Sequence, residues 1–526
     1  MVSQNALPFH YEMENQSRGA TAWAGLLAIE GLFYGLGLHH SIGKHIKARP
    51  TQGYSDVEQI LSLVLLNLAG GSSVDDIDHL EGDAGLSKLH ALAAARDLLP
   101  RGKALLSRWR SATERSFPSP SAIRSYLRTF DDPGDSSNRG KGKAFVPLPK
   151  GHLSGFRGVI RDLLAALQRK SPESVATLDQ DATFLPTDYE GALYSYKGEK
   201  SYQAFNTYWA EQEMMIHSEF RDGNVPPGYD QLRLFRESLS QLPAGVKTVR
   251  LRSDTAGYQT NLLRYCAEGR DERFGRIDFA ISHPVGRDFR EAVKALPEEA
   301  WTPLYKTVGK GRNARSVFSG QEYAEVPYVT NSLSTKRDGP DYRFLALRER
   351  FIDLDRFAGF SGEAPGQQLL PEVAEEQFPS LRKLHLEVLD GKCYKIFSIV
   401  TNMDWDGEEL IRWQRQRCGK SEEMHHILKD ELAGGSMPSR HFGACAAWWW
   451  ISVLALNVMN IFRRQVLPAR WARCRPKTLR FRVLAVAGRL VRHARQWAVK
   501  LSGHAPAAAL LEQAQWSLER FCRLQP

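Results

Sequence analysis

The six cysteines of this 526-residue chain, at positions 266, 393, 418, 445, 474 and 522, never fall into the close pairs that a structural zinc site or a disulfide framework needs. That argues against a cysteine-stapled secreted fold and suits a reducing cytoplasm. The opening residues, MVSQNALPFHYEMENQ, have no basic stretch leading into an apolar core, so no secretory leader is expected. No internal repeat is visible. Long uncharged runs are also scarce, the exception being the 21 residues from Phe442 to Phe462. That length would span a bilayer. Asn457 and Asn460 inside the run, and its being alone, favour a buried core helix with Trp448, Trp449 and Trp450 at one end, and no membrane partner is expected.

The most informative absence is of acid. From Leu432 to Leu511 there is no Asp or Glu, while Arg440, Arg463, Arg464, Arg470, Arg473, Arg475, Lys477, Arg480, Arg482, Arg489, Arg492, Arg495 and Lys500 are basic. Trp471, Phe481 and Trp497 are interleaved with them. One-sided charge is the footprint expected of a phosphate-backbone contact, and a solvated helix face is the plainer alternative. The whole chain carries a net charge of +10, which favours a polyanionic partner without naming one.

What remains is ordinary in composition, with 42% hydrophobic and 25% charged residues. The length suggests about three folding units. Residues 1–130 read as helical, with apolar residues at helical spacing in 56–71 and 86–99 and a further helix at 121–130. Residues 131–170 hold a Gly/Pro/Ser-rich linker and a connecting helix. Strand patterns then alternate with helices over 171–284, with 201–210 and 213–222 spaced to form a hairpin. Residues 285–392 are irregular and strand-rich, 393–465 return to a strand and helices, and 466–526 read as a basic helical tail. The expected class is therefore α/β with a β-rich insertion and helical ends.

Three acidic features stand out. In VATLDQDATFL (175–185), strand alternation puts Asp179, Asp181 and Thr183 on one face. Two carboxylates on one face are awkward without a cation nearby, although a solvated edge strand explains them equally well. Asp254 ends a short strand, where ligands bind in α/β folds, or it merely caps the next helix. In RCGKSEEMHHILKDEL (417–432), Gly419 can end one helix and Ser421 can cap the next, placing Glu422 in its first turn and Lys429 two turns on. Plain helix-dipole complementarity accounts for that pair too. Together the three acids make the donor set of two-metal phosphoryl transfer, with hard oxygen ligands for Mg²⁺. A rival metal set of His217, His425 and His426 is disfavoured because adjacent helical residues face apart.

At these residues the chain resembles the bacterial insertion-sequence transposases with an RNase H-like DDE catalytic domain, in the branch carrying a strand-rich insertion before the catalytic Glu. The strings that carry the resemblance are TLDQDAT (177–183), YKGEKSYQAFNTYWAE (196–211), FRDGNVPPG (220–228), VRLRSDTAGYQ (249–259), SEEMHHILKDELAGG (421–435) and FGACAAWWW (442–450). RPKTLRFR (475–482) and GRLVRHARQW (488–497) extend it. The resemblance implies a catalytic triad of Asp181, Asp254 and Glu422. Asp181 is preferred to Asp179 because the family often has Thr or Ser two residues on, here Thr183, and Asp179 stays as a possible further metal ligand. Glu422 is preferred to Glu423 by the family's Glu-x6-Lys spacing to Lys429. The family pattern also has a Tyr and an Arg before that Glu. Arg415 and Cys418 stand there instead, with Arg417 one position out of register. The resemblance further implies two Mg²⁺ ions, replaceable by Mn²⁺, double-stranded DNA as partner and a homodimer in the synaptic complex. It implies a cytoplasmic, nucleoid-associated enzyme that cuts its element's ends and joins the 3′-OH to target DNA. Lys429, Arg463, Arg464, Arg475, Lys477, Arg480, Arg482, Arg489, Arg492 and Arg495 would hold DNA, and Trp209 could stack on a base. An inactive DNA-binding relative and an RNase H-like nuclease without strand transfer are the alternatives.

Overall fold

A computed structural model describes residues 19–48, 53–95, 115–136, 138–139, 144–309, 311–333, 341–350, 385–389, 392–493 and 496–523. Its centre is a mixed sheet of eleven strands: β2 (Val175–Pro186), β3 (Leu193–Tyr194), β4 (Lys200–Trp209), β5 (Met214–Asp222), β6 (Thr248–Ser253), β7 (Asp278–Ser282), β8 (Thr302–Val308), β9 (Arg315–Val326), β10 (Arg343–Arg350), β11 (Leu386–Leu389) and β12 (Lys392–Thr401). The order is β3-β4-β2-β6-β7-β12-β10-β9-β8, with β5 on β4 and β11 on β12. β2, β6 and β7 run parallel, and the other pairings are antiparallel. The chain is thus mixed α/β. The described strands of the 285–392 stretch extend this one sheet instead of making a sheet of their own.

Helices α1 (Leu26–Gly35), α2 (Leu38–His45), α3 (Asp56–Ala69), α4 (Pro120–Arg128) and α5 (Gly155–Lys170) precede the sheet. α3 begins where Ser55 and Glu58 form a reciprocal capping box, and it ends at Gly70 in the left-handed conformation. α6 (Gln231–Leu239) and α7 (Thr260–Ala267) join the central strands. α8 (Gly407–His426) crosses β2, β6 and β7. α9 (Phe442–Ile461) is long and apolar enough to cross a membrane, and every one of its residues is buried inside the protein.

The two asparagines of α9 have a specific task there. The Asn457 amide accepts from Met215 N and donates to Met215 O, both at 2.8 Å. Asn460 donates to Glu213 O at 2.6 Å. The helix thereby supplies β5 with the hydrogen bonds that its outer edge would otherwise lack, which a fully apolar helix could not do. The Trp449 indole donates to Ser218 Oγ on the same strand at 2.7 Å. On the far face of α9, Asn67 of α3 donates to Ser452 Oγ at 3.1 Å.

The basic tail differs from the all-helical expectation. Residues Gly488–His493 (β13) and Gln496–Leu501 (β14) form a hairpin that pairs with β1 (Ala20–Thr21), and only then comes α10 (Ala508–Arg523). In Gly488–His493 only Leu490 is buried, while Arg489, Arg492 and His493 are exposed. A strand that buries so little carries no period-two signal in its sequence.

Candidate active site

The site begins with the register of two parallel strands. Asp179 on β2 stands beside Arg252 on β6, and Gln180 beside Ser253. One step further along the same two chains come Asp181 and Asp254. Alternation puts Asp179 and Asp181 on one face of β2 and Arg252 and Asp254 on the matching face of β6. The sheet therefore presents two successive rungs, the first of opposite charge and the second of like charge.

The first rung is closed. Arg252 Nε donates to Asp179 Oδ1 at 2.6 Å and Nη2 to Asp179 Oδ2 at 2.9 Å, with both side chains almost fully buried. Arg252 also donates to Trp413 O of α8 at 2.7 Å. Both oxygens of Asp179 are thus engaged by a guanidinium, and the structure corrects its assignment as a metal ligand. The two acids of the strand have different jobs, one structural and one facing the cavity.

The second rung opens into a cavity of about 280 Å³ lined by Asp181, Thr183, Tyr196, Glu199, Asp254 and Lys429, among others. Burial and the neighbouring Asp181 charge raise the Asp254 pKa, with Arg417 opposing. Asp254 also caps the short helical turn after β6, accepting from Ala256 N at 3.0 Å, so it is a cap and a lining residue of the cavity at once. Asp181 Oδ1 accepts from Ala182 N at 2.9 Å. Its Oδ2 accepts from Ser421 Oγ at 2.6 Å and Arg417 Nη1 at 3.1 Å.

Those two donors come from α8, where sequence reasoning erred. Gly419 does not end a helix and Ser421 does not cap one, because α8 runs unbroken from Gly407 to His426. Asp406 is the cap, accepting from Glu408 N and Glu409 N. Glycine at 419 lacks a side chain but keeps its N–H, so the hydrogen-bond ladder can pass through it at a modest cost of about 1 kcal/mol. Glu422 therefore lies in the last turns of the helix and not the first, and it loses the favourable helix-dipole placement expected for it.

Arg417, Ser421 and His425, four residues apart, form the row of α8 that faces Asp181. Glu422 and Glu423 are exposed and do not line the cavity. His425 is buried in this row, and its pKa falls to about 4, through burial first and then the Lys429 and Arg417 charges, against the pull of Asp181. Beyond His425 the helix widens into a π turn, Ile427–Glu431. Its extra residue rotates the downstream chain back by about 100°, and Lys429 lines the same cavity as the two aspartates. His217 is far from a metal role: its Nε2 meets Glu237 Oε2 at 3.0 Å, and His426 pairs with Asp430. Among the described residues no group of three His, Cys, Asp or Glu side chains is arranged around a common metal position.

Sequence reasoning gave no role to Tyr196 and Glu199, read Ser421 only as a helix cap and His425 only as part of a disfavoured metal set, and set Arg417 aside as out of register. The four-residue spacing of 417, 421 and 425 was the available signal, but it is visible only once the helix is known to be continuous.

Several arginines expected to hold DNA are engaged inside the protein. Arg463 pairs with Glu213 and donates to Cys474 O at 3.3 Å, and Arg464 donates to Glu211 O at 3.0 Å. Arg475 pairs with buried Glu431. Arg480 donates to Leu68 O at 2.9 Å, Asn67 O at 3.2 Å and Glu431 O at 2.6 Å. Arg463 and Arg464 hold the tail to the turn between β4 and β5, and Arg475 and Arg480 hold it to the cavity-lining π turn and α3, which corrects their assignment as DNA contacts. Lys477, Arg482, Arg489 and Arg492 are exposed, and Arg495 lies outside the described residues. Trp209 is a core residue, buried and donating to Val175 O at 3.0 Å.

Residues 388–522 match a family model described as "Transposase DDE domain group 1". Glu422 and Lys429 fall within the matched stretch, and Asp181 and Asp254 precede it. No curated protein matches the chain. Among solved structures, the cryo-EM structure of a piggyBac transposase synaptic complex with hairpin DNA aligns at a TM-score of 0.38 and 10% identity, covering 95% of this chain and 81% of that chain.

Proposed function

We propose that this chain is a DDE-type DNA transposase with an RNase H-like catalytic core, acting through Asp181, Asp254 and Glu422. The observation that carries the reading is the like-charged pair of Asp181 and Asp254, placed where the parallel pairing of β2 with β6 ends and both lining one cavity. The match of 388–522 to a DDE transposase domain supports it. So does the strand set β5-β4-β2-β6-β7, antiparallel up to β2 and parallel beyond it.

Two carboxylates that repel each other in a partly buried cavity are a fitting donor set for a hard divalent cation, since the cation removes the repulsion that raises Asp254. Mg²⁺ or Mn²⁺, two ions in the full reading, would supply Lewis-acid stabilisation of the phosphodiester and of both its attacking and leaving oxygens. Asp181 and Asp254 would hold the cations from the sheet, and Glu422 from α8. Lys429 at the cavity wall holds a DNA phosphate as a point charge. Arg417 and Ser421 fix the Asp181 carboxylate. The substrate is the element's own terminal inverted repeats, synapsed by a homodimer in the nucleoid-bearing cytoplasm. Water cleaves the phosphodiester at the element end, and the freed 3′-OH then displaces a target-strand oxygen. Both steps are in-line displacements at phosphorus, so one site serves both.

One observation favours a second reading, a DNA-binding relative without catalysis: the α8 residues that touch Asp181 are Arg417 and Ser421, neither an acid, and the acids next to Ser421, Glu422 and Glu423, are exposed. End cleavage and strand transfer on a duplex carrying the inverted repeats, with Mg²⁺ or Mn²⁺, separates the two. The catalytic reading expects product from the wild type, none from Asp254→Asn, and loss in Glu422→Gln with retention in Glu423→Gln. DNA binding without product from the wild type in either metal would favour the inactive relative.

A further inference from the structure

The loop from β3 to β4 reaches the acidic cavity. Residues Ser195 to Glu199 close it as a tight hairpin, in which Gly198 N donates to Ser195 O at 3.0 Å and Ser195 N to Glu199 O at 2.8 Å. Gly198 takes the left-handed φ of 80° that a three-residue hairpin loop of this kind requires. Ser195 is buried, and its Oγ accepts from Lys197 N at 3.2 Å, so the loop is pinned from inside. Its two outer residues, Tyr196 and Lys197, are exposed, and both line the cavity of Asp181 and Asp254. The Lys197 ammonium lies 5.1 Å from the centre of the Phe184 ring, which meets the Tyr196 ring edge to face at 5.3 Å. Phe184 belongs to β2, the strand of Asp181. The two rings thus seat the lysine against the strand that carries the acid.

The charges of this cavity stay apart. Asp181, Asp254 and Glu199 line it together with Lys197 and Lys429. Among the described residues neither lysine forms an ion pair with a carboxylate, and Asp181 pairs instead with Arg417 of α8. One rung away, Arg252 closes fully on Asp179. Opposite charges that share a small cavity without pairing leave two demands unfilled: the carboxylates suit a cation, and the ammonium groups, which only donate, suit an anion. The lysines also come from separate elements, Lys197 from the β4 side of β2 and Lys429 from the π turn after α8. A nucleic-acid strand carries one charge per phosphate, so two separated lysines match two phosphates of one strand.

We propose that the Tyr196–Gly198 loop is a phosphate-binding lip of the site, with Lys197 on the phosphodiester that neighbours the one held by Lys429. The proposal rests on DNA being the substrate of the acidic cavity. It gives a role to a loop that supplies neither a carboxylate of the triad nor any part of the basic tail.

The test uses the full chain and a duplex ending in the inverted repeat, titrated at several salt concentrations, with single phosphates around the cleavage point replaced in turn by uncharged methylphosphonate. Lys197→Gln should lower the slope of log K against log salt by about 0.9, the value for one phosphate contact. Lys197→Arg should keep the slope. So should Lys247→Gln, at an exposed lysine just before β6 and hence at the far end of that strand from Asp254. At one phosphate, methylphosphonate should weaken binding of the wild type and cause no further loss in Lys197→Gln, while the other positions behave alike in both proteins. Losses that add at every position, with an unchanged slope and wild-type circular dichroism, would overturn the lip and leave the acidic site standing. Asp254→Asn should lose cleavage and keep the coupling between Lys197 and its phosphate. A chain that cleaves without that coupling refutes the lip alone, and one that shows the coupling without cleaving refutes the catalytic reading alone. A wild type with no affinity for the duplex would sink both.

Discussion

Replacing Asp179 with Asn distinguishes the two acids of β2 by their physical roles. Asp179 and Arg252 are 2% and 1% exposed and share two short hydrogen bonds. Removing one partner of a buried pair leaves an uncompensated charge and costs about 3–5 kcal/mol. Arg252 keeps Trp413 O at 2.7 Å, and Asn can still accept one bond, so the lower end applies, about 3 kcal/mol. That is about a 150-fold change in the folding equilibrium. With a urea dependence of about 3 kcal/mol/M, the midpoint falls by about 1 M. Asp181→Asn removes a charge that repels Asp254, so its midpoint should stay at or above that of the wild type. Terbium luminescence at the cation site gives the complementary readout. Asp181→Asn should lose the signal, while folded Asp179→Asn below its urea transition should keep it. An Asp179→Asn protein with a wild-type midpoint and weakened terbium binding would refute the two-rung reasoning.

Arg480→Ala removes three donated bonds to backbone carbonyls and should cost about 1–3 kcal/mol in denaturant unfolding, with the salt dependence of DNA binding unchanged. Arg489→Gln/Arg492→Gln, on the exposed hairpin strand, should leave stability alone and lower the salt slope by about 1.8. Trp449→Ala empties a fully buried site and frees Ser218, which should cost about 3–5 kcal/mol. His283 is enclosed by Tyr258, Phe289, Tyr328 and Phe344, and burial lowers its pKa to about 4. The unfolded chain, with a histidine near 6.5, takes the proton first. Its stability contribution is therefore complete above about pH 6.5 and is lost as the pH falls toward 4, reaching about 2 kcal/mol at pH 5. Unfolding free energies at pH 8 and pH 5 should converge by that amount in His283→Gln.

Much of the sheet that carries Asp181 and Asp254 was legible because its signals are local. Strand alternation placed Asp179 and Asp181 on one face, the 201–222 hairpin is β4–β5, and Asp254 ends β6 as its position after KTVRLRS suggested. The errors arise where partners are distant in sequence. Nothing near Asp179 in the chain announces Arg252, 73 residues away, and without that pairing the two aspartates look equivalent. Gly419 and Ser421 form a plausible stop-and-start pair, yet the packing of α8 across three strands outweighs a local preference of about 1 kcal/mol. The tail arginines obey the same rule, since charge density is written in the sequence but carbonyl partners such as Leu68 O, 412 residues from Arg480, are not.

The bonds from Asn457 to β5 also set an order in time. Met215 leaves the ribosome 242 residues before the asparagine that completes its backbone pairing. At about 5–20 residues per second, the edge of the central sheet stays open for roughly 10–50 s of synthesis. During that interval β5 is a bare strand able to pair with any other, including its counterpart on a neighbouring nascent chain. Closing it is the work of the same C-terminal part of the chain that supplies the basic hairpin, so an unfinished chain has neither a sealed sheet nor its basic tail.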